Sequence, residues 1–215
     1  MIKAPILIFD FDGTIADTHH YIVEISNRLC AEFNYARNLP HELDDLKNKT
    51  VHEVIRHLNV PLLKIPAIVA RAKKEFQNDI ATLKPVSGLQ EILTRIKEAG
   101  IKTGILSSNA KDNITRFLKN HHLDIFDFIQ STSSIWGKHI CLNKLLSQNQ
   151  IDRNDIIYIG DELRDIDAAK KLGVKVAAVT WGYNSAAALQ KLNPDYLIQT
   201  PADLLGLIGL TAPSS

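Results

Sequence analysis

Two tetrapeptides, Ile6-Leu7-Ile8-Phe9 and Ile156-Ile157-Tyr158-Ile159, are apolar throughout. A strand with one face in water alternates polar and apolar residues. An unbroken apolar run of strand length fits a strand whose two faces are both covered by helices. Further strand-like runs fall at 102–106, 126–129 and 176–180. Between them lie helical stripes: Ile92, Leu93 and Ile96; Ile114, Phe117 and Leu118; Leu142, Leu145 and Leu146. Alternation of this kind predicts an α/β chain with a parallel sheet. Ser87 with Gln90 reads as a capping box and Gly100 as the stop of the helix it opens. A helix from about Leu163 is expected to stop at Gly173.

One stretch departs from the alternation. From 16 to 83 there is no strand-like run, only helical pattern. Thr50 and Glu53 form a capping box ahead of Val54, Ile55 and Leu58, Pro61 interrupts, and a longer helix is predicted over 65–83. Lys84-Pro85 with Gly88 reads as the hinge back to the sheet. A helical insertion thus follows the first strand almost at once.

The chain has 215 residues, of which 45% are hydrophobic, enough for one sizeable core with a small appendage. Its 25 basic and 24 acidic side chains leave a formal charge of +1, which argues against a nucleic acid as partner. Cys30 and Cys141 are far apart and lack metal-ligand spacing, so a reducing compartment is expected rather than a disulfide framework. The first apolar run is short and interrupted by aspartates, which argues against a membrane span or signal peptide. A soluble, cytoplasmic protein is the expectation, with 211–215 as a frayed end.

Four places carry chemistry. Asp10-Phe11-Asp12-Gly13-Thr14 stands at the carboxyl end of the first strand, where open α/β sheets bind ligands. Two carboxylates two residues apart can share one reaction centre there, and Gly13 permits the sharp turn. Gly160-Asp161-Glu162-Leu163-Arg164-Asp165 brings three acidic groups to a strand-to-helix junction. Such hard oxygen ligands suit magnesium better than zinc. Ser107-Ser108-Asn109 offers hydroxyl and backbone donors at a helix start, which suit a phosphate. Lys138 follows Ser133, Ser134 and Gly137 and by itself means only a surface charge; Lys144 is close by. The adjacent pairs His19-His20 and His121-His122 cannot place both rings on one helix face and read as surface or packing residues.

In this order the four motifs resemble those of the haloacid dehalogenase superfamily of phosphohydrolases, over about Ile6 to Trp181. The helical insertion resembles the cap of the phosphoglycolate phosphatase and β-phosphoglucomutase subfamily. The resemblance implies a Rossmann-like core built from 1–15 and 84–215, with a helical cap over 16–83. It implies Asp10 as nucleophile and Asp12 as general acid and base. Mg²⁺ would lie between Asp10, the Asp12 backbone carbonyl and Asp161. Thr14, Ser108 (or Ser107) and the Asn109 backbone would serve the phosphoryl group, and Lys138 would neutralise charge. Asp165 would support the metal shell or orient Lys138. Relatives often have proline where His139 stands and a small residue where Glu162 stands, so Glu162 either adds charge near the metal or faces solvent. One of Lys47, Lys49 and Thr50, in a polar loop before a helix of the insertion, is expected to contact the substrate, and the run Trp181-Gly182-Tyr183-Asn184 either flanks the entrance or packs. The implied activity is hydrolysis of a small phosphorylated metabolite, such as phosphoglycolate, through an aspartyl-phosphate. The presence of Asp12 speaks for phosphoryl chemistry over dehalogenation. A sugar-phosphate mutase shares these residues, and a non-catalytic binding protein is the remaining alternative.

Overall fold

A computed structural model describes residues 5–132 and 137–211. Ser133, Ser134 and the end of the predicted frayed tail, 212–215, lie outside the described residues. Six parallel strands form one sheet in the order β3-β2-β1-β4-β5-β6. They are β1 (Ile6–Phe9), β2 (Thr103–Ser107), β3 (Phe128–Ser131), β4 (Ile156–Gly160), β5 (Lys175–Val179) and β6 (Tyr196–Ile198). The chain fills one side of β1 and then the other, so the order reverses between β1 and β4. In open α/β sheets that switch point is where ligands bind.

The two apolar tetrapeptides pair with each other, Ile6 with Ile156 through Phe9 with Ile159, and their side chains are buried. Alternate residues along each strand point to opposite faces, so two cores form. Leu7, Phe9, Ile105 and Ile159 join the stripes of α5 (Leu89–Glu98) and α6 (Lys111–Asn120). Ile8, Leu106 and Tyr158 join α7 (Lys138–Gln148), α8 (Leu163–Leu172) and α9 (Ala186–Lys191) on the other face.

Several boundaries differ from expectation. The third strand begins at Phe128, because the Asp127 N–H donates to the Thr103 carbonyl and the Asp127 carboxylate accepts from the Thr103 N–H, which closes the turn before pairing starts. The Ser87–Gln90 capping box does not form. Gly88, with φ +77°, stands at the cap position of α5, and the Leu89 N–H bonds the Val86 carbonyl. Strand β6 is only three residues long, with Tyr196 exposed, and lacks a periodic signal.

The insertion contains α1 (His19–Phe33), α2 (Leu43–Leu46), α3 (Val51–His57) and α4 (Ile65–Asp79), which ends before the predicted 83. The Thr50–Glu53 capping box is formed, with the Thr50 N–H 2.7 Å from Glu53 Oε2. Helices α1 and α4 pack together through Tyr21 and Phe76, edge to face at 5.6 Å, with Arg28 bridging to Glu75 and Asp79. The outgoing and returning chains lie side by side: the Asp17 N–H bonds the Lys84 carbonyl and the Val86 N–H bonds the Ile15 carbonyl, both at 2.9 Å. Among the described residues, no helix is long and apolar enough to cross a membrane.

Candidate active site

Asp10 follows the last residue of β1, and its N–H continues the ladder to the Ile159 carbonyl at 2.8 Å. Asp161 follows β4, and the Ser107-Ser108-Asn109 run ends β2. Three adjacent strands therefore deliver their carboxyl ends to one point.

Asp10, Asp161 and Asp165 are buried and each offers a carboxylate oxygen within 4.8 Å of the others. Asp10 accepts from the Phe11 N–H at 2.8 Å through Oδ1 and from Lys138 Nζ at 2.6 Å through Oδ2. Lys138 also bonds Asp165 Oδ1, and its ammonium lies 5.5 Å from the centre of the Tyr158 ring. Only 6% of the Lys138 side chain is exposed. Burial alone would lower its pKa, but Asp10 and Asp165 outweigh that and hold it well above the usual lysine value. The lysine is thus charged and central, whereas Lys144 is exposed on the far side of α7.

Asp161 is clamped from three directions. Thr14 Oγ1 donates to its Oδ1 at 2.6 Å and the Tyr183 N–H to its Oδ2 at 2.7 Å. Gly13 and Gly182 press against it so closely that a Cβ on either would overlap its carboxylate. Gly13 also has φ +75°, a conformation that side chains resist. Thr14, expected at the phosphate, is therefore committed to aligning Asp161. Asp165 caps α8 by accepting the Glu162 N–H at 3.1 Å. Glu162 does not face solvent: it is buried and paired with Arg164 at 2.5 Å.

Around this centre stand Asp10, Asp161, Asp165 and Glu162 against Lys138 and Arg164. The surplus of negative charge adds to burial in disfavouring the ionised carboxylates. Burial, opposed in part by Lys138, pushes Asp10 up to about 6, and burial with Glu162 and Asp10 drives Asp161 well above the carboxylate range. Three convergent hard oxygen donors with uncompensated charge fit a divalent cation such as magnesium.

Asp12 points elsewhere. It is half-buried on the floor of a cavity of about 250 Å³, together with Ser108 and Asn109. Burial, then the charge of Asp10, raises it to about 7. Asn109 Nδ2 bonds both Asp12 oxygens at 3.2 Å, and Asn109 Oδ1 is itself held by the Ala110 N–H at 2.8 Å and Asn113 Nδ2 at 3.1 Å. The Asn109 N–H goes to Ser107 Oγ at 3.0 Å, so this residue addresses Asp12 through its side chain instead of offering its backbone to a phosphate. That bond also separates the two serines. Ser107 is fully buried and occupied, while Ser108 lines the cavity and its hydroxyl has no partner among the described residues.

The other candidates fall into place around these groups. Lys47, Lys49 and Thr50 do not line the cavity over Asp12. Their loop docks by its backbone: Asn184 Nδ2 donates to the Lys47 and Lys49 carbonyls at 2.8 and 3.0 Å, and the Thr50 hydroxyl caps α3. Asn184 Oδ1 meanwhile accepts the Leu163 N–H at 2.9 Å, and Trp181 Nε1 donates to the Thr14 carbonyl at 3.2 Å. His20 pairs with Glu24 in solvent, His121 bonds the Leu83 carbonyl, and His19 packs edge-on to Tyr183. Sequence reasoning missed Lys73, which lines the cavity from α4. The signal was its place in register with Val69 and Phe76 on an otherwise apolar stripe.

Converging carboxylates and one buried lysine stand at the switch point of a parallel sheet, where enzymes of the open α/β class place their active sites. Residues 7–179 match the family model of haloacid dehalogenase-like hydrolases, and the chain belongs to that family. Its enzyme class is the one expected from the sequence, a hydrolase of phosphate esters. Among curated proteins it is 30% identical to the phosphoglycolate phosphatase of Synechococcus elongatus, over 93% of this chain and 94% of that one. It is 27% identical to a putative pyrophosphatase PpaX of Caldanaerobacter subterraneus, over 96% of each. Among solved structures, a putative haloacid dehalogenase-like hydrolase from Bacteroides fragilis superposes with a TM-score of 0.79 at 25% identity, over 94% of this chain and 100% of that one. A haloacid dehalogenase-like family hydrolase from Streptococcus pneumoniae gives 0.79 at 20% identity, over 96% and 99%, a likeness of fold.

Proposed function

We propose that the protein is a magnesium-dependent phosphatase that releases phosphate from a small phosphorylated metabolite through an aspartyl-phosphate on Asp10. The observation that carries this is the division of labour between two carboxylates of one loop: Asp10 sits buried against Lys138, while Asp12 opens to the cavity with its pKa raised to about 7.

Asp10 Oδ attacks phosphorus and the ester oxygen leaves, taking the proton that Asp12 holds at neutral pH. Asp12, now a carboxylate held by Asn109, then draws a proton from water, which attacks the acyl phosphate and regenerates Asp10. Lys138 neutralises charge shared between Asp10 and the phosphoryl oxygens, and Ser108 donates its free hydroxyl to them; donors of this kind are worth about 3–4 kcal/mol each in the transition state. Asp10, the Asp12 backbone carbonyl and Asp161 would hold a magnesium ion, with Asp165 and Glu162 behind them, and the bound ion would supply charge that offsets the repulsion between a carboxylate and a phosphate. Thr14 and the Tyr183 N–H keep Asp161 aimed at it.

In the same reading, 16–83 form a cap over a core of 1–15 and 84–215, and the paired chains at 15–17 and 84–86 are its hinge. A cytoplasmic setting is supported by the two unpaired cysteines.

The test is phosphate release from a panel of phosphate monoesters with and without Mg²⁺, with Asp10→Asn as control. Turnover that needs both the ion and Asp10 is the expected result. Release that survives Asp10→Asn overturns the covalent route, and turnover that depends on a bisphosphate primer would point to a mutase.

A further inference from the structure

Asp12 depends on one residue for its direction. Among the described residues its carboxylate hydrogen-bonds Asn109 alone, whose Nδ2 stands 3.2 Å from each oxygen. What holds Asn109 therefore holds Asp12. The Asn109 backbone is fixed on both sides: its N–H donates to Ser107 Oγ at 3.0 Å, and its carbonyl accepts from the Ser131 hydroxyl at 2.5 Å. Rotation of the side-chain amide is the freedom that remains. A half-turn would bring the amide oxygen to Asp12, acceptor against acceptor.

Two donors oppose that turn. The Ala110 N–H reaches Asn109 Oδ1 at 2.8 Å, and Asn113 Nδ2 reaches it at 3.1 Å. A backbone N–H cannot accept, so the end it faces is the amide oxygen, and Nδ2 is the end turned to Asp12. Asn113 is an uncommon residue for its place. It lies beside Ile114 and one turn before Phe117 on the buried stripe of α6, and it is 4% exposed. An amide buried there is unfavourable unless it is bonded. Helix α6 starts at Ala110 without a side-chain cap, so the Asn113 amide serves Asn109 and not the helix end.

We propose that Asn113 is a positioning residue for the proton donor of the reaction. Through the Asn109 amide it keeps the Asp12 carboxyl turned to the ester oxygen in the cavity. The inference rests on the phosphatase function proposed above and deepens its first step. There Asp10 bonds phosphorus, the bond from phosphorus to the ester oxygen breaks, and that oxygen takes the Asp12 proton. A proton donor must stay within hydrogen-bond reach of the atom it serves, and a displacement of about 1 Å can cost about 100-fold. Ethoxide and phenolate need that proton to leave, whereas p-nitrophenolate leaves as the anion.

The experiment compares kcat/KM, which covers the steps up to departure of the alcohol, for ethyl, phenyl and p-nitrophenyl phosphate with Mg²⁺. The proteins are the wild type, Asn113→Leu, which keeps the volume and cannot donate, and Asn113→Asp, which sets an acceptor against Asn109 Oδ1. In Asn113→Leu the loss on ethyl and phenyl phosphate should be about 10–100-fold. It should be larger in Asn113→Asp, and p-nitrophenyl phosphate should stay near wild type in both. Should one variant fail to fold, the other carries the same comparison. In parallel, the NMR signal of the Asn109 side-chain amide is followed: Asp12→Ala should move it in the wild-type background and leave it in place in Asn113→Leu. Equal losses on all three esters mean that Asn113 supports the fold alone and overturn the inference, as does full turnover of all three; both leave the phosphatase function standing. If the wild type turns over no ester, the phosphatase function falls, and the amide signal decides for Asn113. A response to Asp12→Ala that is lost in Asn113→Leu upholds it as the residue that aims Asn109, and a response in both backgrounds or in neither overturns it.

Discussion

Replacing Lys138 by methionine removes a charge that two buried carboxylates share while keeping most of its volume. The magnitude follows from the site. The Asp10 and Asp165 side chains are 3% and 0% exposed, and both contact the ammonium. Loss of the cation leaves Asp10, Asp161, Asp165 and Glu162 facing Arg164 alone. Breaking a buried pair by removing one partner costs about 3–5 kcal/mol, and the upper end applies here because two carboxylates lose the same partner. The assay is urea unfolding without divalent metal at pH 7.5 and pH 5, with Lys144→Met as an exposed control. The control should stay within about 0.5 kcal/mol of wild type. The Lys138→Met deficit should be about 5 kcal/mol at pH 7.5 and smaller at pH 5, where Asp10, already raised to about 6, is mostly protonated and no longer needs the cation. Turnover with magnesium should fall at least 100-fold. A deficit under about 1 kcal/mol, or one equal at both pH values, would refute the argument that the lysine compensates buried charge.

Asp12 titrates near 7, so its acid form is lost as pH rises through that value; turnover of alkyl esters should decline there, and in Asp12→Asn that limb should vanish while the rate drops by about 10²–10⁴. Stability without metal carries the matching sign. Asp10 and Asp12 bind protons more tightly folded than unfolded, so stability present below pH 4 is lost as pH rises to about 7, on the order of 4 kcal/mol for Asp12 alone. Melting temperatures in a chelator at pH 5, 6 and 7.5 should therefore fall, and added Mg²⁺ should oppose the fall; a flat profile would count against it. Asn184→Ala should destabilise the protein by about 2–3 kcal/mol in denaturant, since it removes side-chain bonds to Lys47, Lys49 and Leu163 at once; a loss within the error of the control would mean that the 47–49 loop is held elsewhere.

Much of the architecture is local and therefore legible in the chain. Unbroken apolar tetrapeptides need two covered faces, helical stripes need one, and their alternation leaves a parallel sheet as the arrangement that satisfies both. The acidic groups at the ends of the first and fourth strands, Asp10, Asp12 and Asp161, were legible for the same reason: a residue that follows a strand is placed by that strand. Other assignments depend on partners distant in sequence. Lys138 and Lys144 look alike in the chain, and only the packing of α7 on the sheet buries one between Asp10 and Asp165. Ser107 and Ser108 are separated by a single bond to the Asn109 N–H. Thr14 reads as a phosphate ligand until Asp161, 147 residues away, accepts its hydroxyl. Glu162 reads as solvent-facing or metal-facing until Arg164 is seen beside it. Lys73 drew no reading from the chain, and only the packing of α1 against α4 puts it in the wall of the cavity over Asp12. Backbone conformation follows from neighbours along the chain, whereas the environment of a charge depends on what tertiary packing brings against it, and for this protein that packing decided which of the polar residues face the chemistry.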